Sequence, residues 1–415
     1  MISVSTRFFG QPRETKWIVR SDIADPETCA PALPESNRWG APRLTEGAAG
    51  ETLRHGWRAP RNTRSRSSSR ATATRSAATA TTAGATTGGK SVGSLSTETL
   101  LSLVGRALTE VDFDHVTLTG GEPFARRDLF DVLDVVKKHG KRAKMISNGG
   151  VITDALAARL APYRPYFVQV TLNGPEKALH EEHVGEGHWE PTLRGIEALT
   201  RNGVTVSGCV VVTRKNARVV GEILDLWRSL GVTNIALSRY SPAGFAAEQV
   251  AELLCSRSEL MVALEQADAR GREHDMSIAV TMPVPQCVVE HADYPHVRFG
   301  GCPIGTEMQE LALGPRGELR NCTLHEEVIG DATAQSFAEL VTAPAVTHYR
   351  DVTPEFCAPC PFRASCIGGC GAAAAWTLGD KRALDPFVAQ HVDDAFAAEL
   401  KRRRGKLIDA ASLVR

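Results

Sequence analysis

The segment HVTLTGGEP, residues 115–123, decides the fold. It is a short run of β-forming residues that leads directly into Gly120, Gly121, Glu122 and Pro123. A short apolar run that ends in such a turn is typical of a buried strand in a βα unit. The two glycines let the backbone approach a ligand closely, and Glu122 can accept a hydrogen bond from an ammonium group. A plain strand-to-helix turn is the alternative interpretation.

The same pattern recurs further along the chain. Five more apolar runs follow: AKMIS (143–147), YFVQVT (166–171), SGCVVVT (207–213), NIALS (234–238) and SIAVTM (277–282). Amphipathic segments separate most of them, and upstream Ser96 predicts the N-cap of a helix that runs to about Glu110. Short buried strands separated by helices indicate a parallel sheet. The sequence therefore predicts an α/β fold, an open or partial (β/α) barrel with its chemistry at the C-terminal ends of the strands.

A second feature is a cysteine array that holds six of the ten cysteines. It can be written Cys302-x14-Gly317-x4-Cys322 followed by Cys357-x2-Cys360-x5-Cys366-x3-Cys370. Thiolates at such spacings can surround one small volume, which indicates a metal centre rather than disulfides. The segment 312–322 predicts two short strands joined by a Pro-Arg-Gly turn, which would return Cys322 toward Cys302. A structural zinc site or scattered core cysteines are alternatives, but zinc usually takes four ligands, so six favour iron–sulfur.

The array resembles the SPASM extension of radical S-adenosylmethionine (SAM) enzymes, a domain that carries auxiliary iron–sulfur clusters. The resemblance covers residues 296–390. It implies one 4Fe-4S cluster held by Cys302, Cys322 and Cys370, and another held by Cys357, Cys360 and Cys366. The family pattern adds a seventh cysteine, often soon after an Asp-Pro. Here Asp385-Pro386-Phe387 is followed by Val388, so the last ligand is missing.

The strand ends extend this resemblance into a radical SAM core at residues 93–290. Gly-Gly-Glu-Pro resembles the motif that holds the amino group of SAM. The polar residues after the next three strands would line the same pocket: Ser147, Asn148, Asn173 and Arg214. The resemblance implies that a reduced 4Fe-4S cluster cleaves SAM and that the resulting 5′-deoxyadenosyl radical abstracts a hydrogen from an unactivated carbon. No catalytic side chain is assigned.

The segment 56–92 departs from this pattern. From Arg58 to Ser91 it contains no Val, Ile, Leu, Met or Phe, as in a disordered basic linker. However, every residue from Gly56 to Gly89 except Asn62 is of a type whose codon carries G or C at its middle base. A GC-rich gene gives such a polypeptide when it is translated out of frame. We therefore interpret this segment as frame-shifted, and we expect it to be disordered as written.

The shifted frame can encode a metal motif. The codon pairs for Thr72/Ala73, Ser76/Ala77 and Thr79/Ala80 then become triplets that can encode cysteine. Their spacing is CxxxCxxC, which resembles the radical SAM signature whose three thiolates hold the SAM-binding cluster. The motif itself is absent from the chain as written.

Composition limits the remaining possibilities. The 415 residues carry no net charge, so no overall field attracts nucleic acid or an anionic membrane. No run reaches the roughly 18 apolar residues of a membrane span, and the N-terminus lacks a signal-peptide pattern. We expect a cytoplasmic protein without nucleic-acid or membrane partners. Residues 1–55 give no assignable pattern, and residues 391–415 predict a helical tail whose basic run, Lys401–Arg404, is a solvated helix end.

Several other residues are weaker candidates. The histidines His180, His183 and His188 favour a surface role over metal binding. Cys209 lies inside a strand and predicts a core position. Cys255 and Cys287 are candidates for a missing cluster ligand.

The resemblance implies modification of a peptide or protein substrate, with an electron donor such as flavodoxin or ferredoxin. Side-chain oxidation of the sulfatase-maturing type, or oxidation of a small molecule, is one alternative. A catalytically inactive cluster-binding protein is another, because the chain as written lacks CxxxCxxC.

Overall fold

The computed structural model describes residues 2–6, 95–306, 308–351 and 353–392, and in these ranges eleven strands form one sheet. The strands are β1 (Ile2–Thr6), β2 (Phe113–Leu118), β3 (Arg142–Ser147), β4 (Phe167–Thr171), β5 (Val206–Val212), β6 (Asn234–Arg239), β7 (Ser277–Val280), β8 (Val297–Phe299), β9 (Glu310–Leu313), β10 (Glu318–Arg320) and β11 (Val328–Asp331). Their order in the sheet is β11-β10-β9-β1-β2-β3-β4-β5-β6-β7-β8. The frame-shift segment, and the tail from residue 393 with its basic run, lie outside the described residues.

Strands β2 to β8 are all parallel, each paired with the next in sequence. The six strands predicted from the apolar runs are confirmed, and β8 adds a seventh parallel strand that the sequence analysis did not identify. Two strands at the edges of the described sheet, β8 and β11, are not paired with each other. The barrel is therefore open, as predicted for a partial (β/α) fold.

Helices connect the parallel strands and continue into the cysteine region. They are α1 (Thr97–Glu110), α2 (Leu129–Lys138), α3 (Asp154–Leu160), α4 (Lys177–Val184), α5 (Trp189–Arg201), α6 (Val220–Ser229), α7 (Val250–Leu253), α8 (Arg257–His274), α9 (Phe337–Val341), α10 (Pro344–Thr347), α11 (Arg363–Cys366), α12 (Gly371–Leu378) and α13 (Pro386–Ala389). Helix α1 begins after Ser96, whose hydroxyl accepts from the Thr99 N–H at 3.1 Å, as predicted. None of the described helices is long and apolar enough to cross a membrane.

An antiparallel segment joins the barrel to the cysteine region. Strand β1 pairs with β2 on one side and with β9 on the other, and β9, β10 and β11 continue the sheet as a meander. The predicted hairpin before Cys322 is confirmed, with Gly317 at a φ of 94° in its turn. A Cβ at Gly317 would lie 2.6 Å from Cγ2 of Thr333, so the turn needs glycine for space as well as for its backbone conformation.

The core lies between the parallel strands and the helices that cover them. Trp227 of α6 is fully buried, and the space for its ring depends on Gly208 in β5. A Cβ at Gly208 would lie 2.7 Å from the Trp227 ring and from the side chain of Ile235. The close approach of α6 to the sheet is therefore set by one glycine inside a strand.

Candidate functional site

The carboxylate of Glu122 connects the C-terminal ends of β2 and β3. Its Oε1 accepts from the Ser147 hydroxyl at 2.9 Å and from the Phe124 N–H at 3.1 Å, while Oε2 accepts from the Asn148 N–H at 2.9 Å. Burial raises the pKa of Glu122 above its ordinary value, and these hydrogen bonds oppose the shift. Three of the residues predicted to bind SAM thus meet at one point.

The backbone beside Glu122 is open. Gly120 has a φ of 127°, a conformation that favours glycine, and Pro123 begins a single 3₁₀ turn. A Cβ placed on Gly121 meets nothing within 4 Å, and both Gly121 and Asn148 are exposed. Free space beside a part-buried carboxylate fits a ligand that carries an ammonium group.

Asn173 and Arg214 have partners within the protein. Asn173 is fully buried, and its Oδ1 accepts from the Val211 N–H at 2.9 Å. Its Nδ2 is buried without a hydrogen-bond partner among the described residues. The Arg214 guanidinium donates to the Ala251 carbonyl at 3.0 Å and lies 3.5 Å from Glu259. For both residues, contact with SAM stays a prediction.

The histidines belong to a buried network at the ends of β4 and β5. His180 Nδ1 accepts from the Asn173 N–H at 3.2 Å, and His183 Nε2 lies 2.8 Å from the Thr213 hydroxyl. Both histidines are 1% exposed, and burial lowers the pKa of His180 to about 4. The predicted surface role is therefore wrong for these two, because α4 packs its histidine face inward; His188 is partly exposed.

Asn216 lies two residues after Arg214 in the turn that follows β5, and the sequence analysis assigned it no role. Its Nδ2 donates to the carbonyls of Asn173 and Val211, both at 3.0 Å, and its Oδ1 accepts from the Thr213 N–H at 2.8 Å. One amide thereby ties the ends of β4 and β5 together.

Three cysteines of the array approach one another after β8 and β10. Cys302 and Cys322 pack around Ile304, Tyr349 and Ile367. Cys322 also packs against the apolar cluster formed by Cys370, Ala372 and Ala373. Burial raises the pKa of Cys302 to about 11 and that of Cys322 to about 12. Cys370 is the N-cap of α12, where its Sγ accepts from the Ala373 N–H at 3.4 Å.

Backbone N–H groups point at these sulfurs. Cys302 accepts from Ile304, and Cys322 accepts from Leu324 and His325. Such donors stabilise thiolates inside a protein and adjust the reduction potential of an iron–sulfur cluster. The donor chemistry of this set therefore fits a cluster.

The second set of cysteines surrounds a separate small cavity. Cys357, Cys360 and Cys366 line it, and the backbone N–H groups of Gly368 and Gly369 donate to Cys366. This set also fits a cluster through its thiolates and its N–H donors. Across the described ranges, no three His, Cys, Asp or Glu side chains converge on a position for a single metal ion.

A buried ion pair supports Cys370. Asp385 Oδ2 accepts from the Cys370 N–H at 2.8 Å and from the guanidinium of Arg239 at the end of β6. Asp385 Oδ1 accepts from the Phe387 N–H at 2.9 Å, and the Asp385 and Arg239 side chains are 0% and 2% exposed. The Asp-Pro dipeptide drew attention to Asp385 in the sequence analysis. No sequence pattern predicted a role for Arg239.

Comparison with known proteins agrees with this geometry. The radical SAM superfamily domain matches residues 75–227, which include β2 to β5 and the Gly-Gly-Glu-Pro turn. Over these residues the chain is similar to the radical SAM superfamily. The match begins inside the segment that we interpret as frame-shifted.

Two kinds of relatives extend this assignment. The PqqA peptide cyclase of Streptomyces rochei is 27% identical over 285 residues, which cover 67% of this chain and 76% of that protein. Among solved structures, anSMEcpe with bound AdoMet has a TM-score of 0.58 at 17% identity, covering 79% of this chain and 95% of that chain. Streptococcus suis SuiB bound to the precursor peptide SuiA has a TM-score of 0.60 at 13% identity, covering 74% and 71%. The α/β fold with its parallel strands thus matches the partial (β/α) barrel of radical SAM proteins.

Proposed function

We propose that this protein is a radical SAM/SPASM peptide maturase, built to modify a ribosomally made peptide by a thioether or carbon–carbon crosslink or by epimerisation. The observation that carries the proposal is the pairing of two sites on one scaffold: an open carboxylate site at the end of β2, and two cysteine sets after β8. The similarity of this chain to a PqqA peptide cyclase, over two thirds of the length of the chain, supports a peptide substrate.

We assign the residues the following roles. Gly121 lets SAM approach the backbone, and Glu122 accepts a hydrogen bond from its amino group, supported by Ser147 and Asn148. When bound, SAM and its cluster supply the 5′-deoxyadenosyl radical that abstracts hydrogen from the substrate. The two cysteine sets hold the auxiliary clusters. A flavodoxin or ferredoxin is the proposed electron donor, and the cytoplasm is the proposed compartment, since ten cysteines suit reducing conditions.

The second candidate is a catalytically inactive cluster-binding protein. The sequence favours it directly, because Cys29 is the only cysteine before Gly120 and a lone thiolate cannot anchor the cluster that cleaves SAM. We propose that paired insertions or deletions near codons 55 and 90 removed the motif. The chain as written would then bind auxiliary clusters without cleaving SAM.

The test compares the chain as written with a variant in which the reading frame across residues 56–92 is restored. After anaerobic reconstitution, the chain as written should bind about two clusters, roughly eight irons, and the restored variant about three. Only the restored variant should release 5′-deoxyadenosine under reducing conditions. It should also change the mass of a precursor peptide encoded beside the gene.

Two outcomes would contradict these assignments. Formation of 5′-deoxyadenosine by the chain as written would contradict the frame-shift hypothesis. Binding of zinc alone, without charge-transfer absorption, would contradict the auxiliary clusters.

A further inference from the structure

A fourth cysteine lies at the second cysteine set. The cavity lined by Cys357, Cys360 and Cys366 is also lined by Cys287 and by its neighbours Pro285 and Gln286. Cys287 belongs to the loop that follows β7, and it precedes Cys302 by fifteen residues, outside the array itself. Tertiary structure thus brings a thiol from the barrel to a cavity whose other thiols come from the C-terminal region.

The surroundings of Cys287 differ from those of the other isolated cysteines. Cys209 and Cys255 are 5% and 3% exposed, neither lines this cavity, and burial raises the pKa of their thiols to about 11 and about 12. Cys287 is partly exposed and packs at the margin of the core. Cys209 and Cys255 therefore serve packing, whereas Cys287 faces a space that three other thiols share.

The same cavity contains the position at which the seventh cysteine is missing. Val388, which follows Asp385-Pro386-Phe387 where the family pattern expects that cysteine, also lines the cavity. The Val388 N–H donates to the Asp385 carbonyl at 2.8 Å, so this residue is held in place, and its side chain is 1% exposed. An apolar side chain thus occupies the position of the lost ligand, and Cys287 offers a thiol to the same space.

We propose that Cys287 is the fourth ligand of the auxiliary cluster held by Cys357, Cys360 and Cys366, and that it replaces the cysteine lost at position 388. The proposal rests on the auxiliary clusters of the proposed function. One cluster then has four protein thiolates, while the cluster of Cys302, Cys322 and Cys370 has three among the described residues. A cluster with four thiolates has no iron open to a ligand from solution, so this site would serve electron transfer or structure rather than substrate binding.

The test uses the full chain and three variants: Cys287→Ala, Cys255→Ala, and the double variant Cys287→Ala/Val388→Cys. Each is reconstituted anaerobically with iron and sulfide and then oxidised briefly with ferricyanide, which expels an iron that lacks a protein thiolate and leaves a three-iron cluster. Three-iron clusters are counted by electron paramagnetic resonance, and total iron is measured before oxidation.

Cys287→Ala should give about one more three-iron cluster per chain than the wild type, because one further iron loses its thiolate. Cys255→Ala should match the wild type. The double variant should return to the wild-type count, because the new thiol at position 388 lies on the same cavity. Such a rescue would show that the extra three-iron cluster in Cys287→Ala arises from the loss of a cluster ligand, and not from a general loss of folding.

The result that overturns the inference is an equal count of three-iron clusters in the wild type and in Cys287→Ala at equal total iron. An increase in Cys287→Ala that the double variant does not reverse would overturn it too, since it would place Cys287 at the other cluster or in the fold alone. If the wild type binds no iron, the proposed function fails together with the inference. If the wild type binds two clusters and only the Cys287 comparison fails, the proposed function is unaffected.

Discussion

At the scale of single residues, Glu122 shows how one side chain can organise a site. Its two oxygens accept three hydrogen bonds from residues on two neighbouring strand ends, which fixes the carboxylate before any ligand arrives. An acceptor that is already oriented loses little entropy when a ligand binds. Gly121 keeps the adjacent space free of side-chain atoms.

Gly121→Val should abolish SAM binding while leaving the fold intact, and Gly121→Ala should weaken binding less. A Cβ at this position meets no protein atom within 4 Å, so only a ligand in this space would be obstructed. The measurement is calorimetric titration of SAM into the frame-restored variant, with circular dichroism and iron content as controls for folding and clusters. Wild-type affinity in Gly121→Val would place the SAM site elsewhere.

At the scale of elements, α5 holds the loop that carries Asn148. Gly195 lies where the helix meets this loop, and a Cβ there would overlap the carbonyl oxygen of Gly149. The Thr192 hydroxyl, one turn earlier, donates to the Asn148 carbonyl at 2.9 Å. The contact between helix and loop therefore sets where the backbone N–H of Asn148 meets Glu122.

Gly195→Ala should lower the free energy of unfolding by about 1–3 kcal/mol, because the added methyl group forces the helix and the loop apart. The matched control is Gly105→Ala in α1, where a Cβ lies 3.8 Å from His139 and 3.9 Å from Val135. That change should be stabilising by roughly 0.5–1 kcal/mol, as expected for alanine in the interior of a helix. Guanidinium unfolding curves distinguish the two, and equal shifts would contradict the close-packing argument.

At the scale of the whole molecule, two features join the barrel to the cysteine region. One is the continuous sheet, in which β1 bridges β2 and β9. The other is the buried pair of Arg239 and Asp385, which links the end of β6 to the backbone of Cys370. The position of a cluster ligand therefore depends on a residue of the barrel.

Asp385→Asn should lower the free energy of unfolding by about 3–5 kcal/mol, because it leaves the Arg239 guanidinium buried without its counter-charge. It should also reduce the iron bound at the Cys370 site. The control is Asp112→Asn, whose ion pair with Lys141 spans 2.9 Å but whose carboxylate is 92% exposed, so a change below about 1 kcal/mol is expected. Thermal unfolding and iron analysis provide the two measurements. Similar shifts in both variants would mean that Arg239 is not buried as a charge.

Local sequence patterns were sufficient to predict most strands of the barrel, one helix cap and one hairpin. Runs of β-forming residues separated by amphipathic segments predicted six parallel strands, because a strand buried on both faces must be apolar along its length. The Ser96 cap and the hairpin before Cys322 were also predictable, since both depend on residues close together in the chain. The cysteine spacing likewise indicated a metal centre, while the division of the cysteines into two sets came from the resemblance to SPASM domains.

Only the tertiary structure decided which distant residues meet. The sequence could not place Cys287 rather than Cys255 at the second cysteine set, because both are isolated thiols and only chain folding distinguishes a core position from a cavity wall. It also missed Arg239 as the partner of Asp385, 146 residues further on, and the inward orientation of His180 and His183. Burial and ion pairing across long separations follow from packing, which spacing along the chain does not encode.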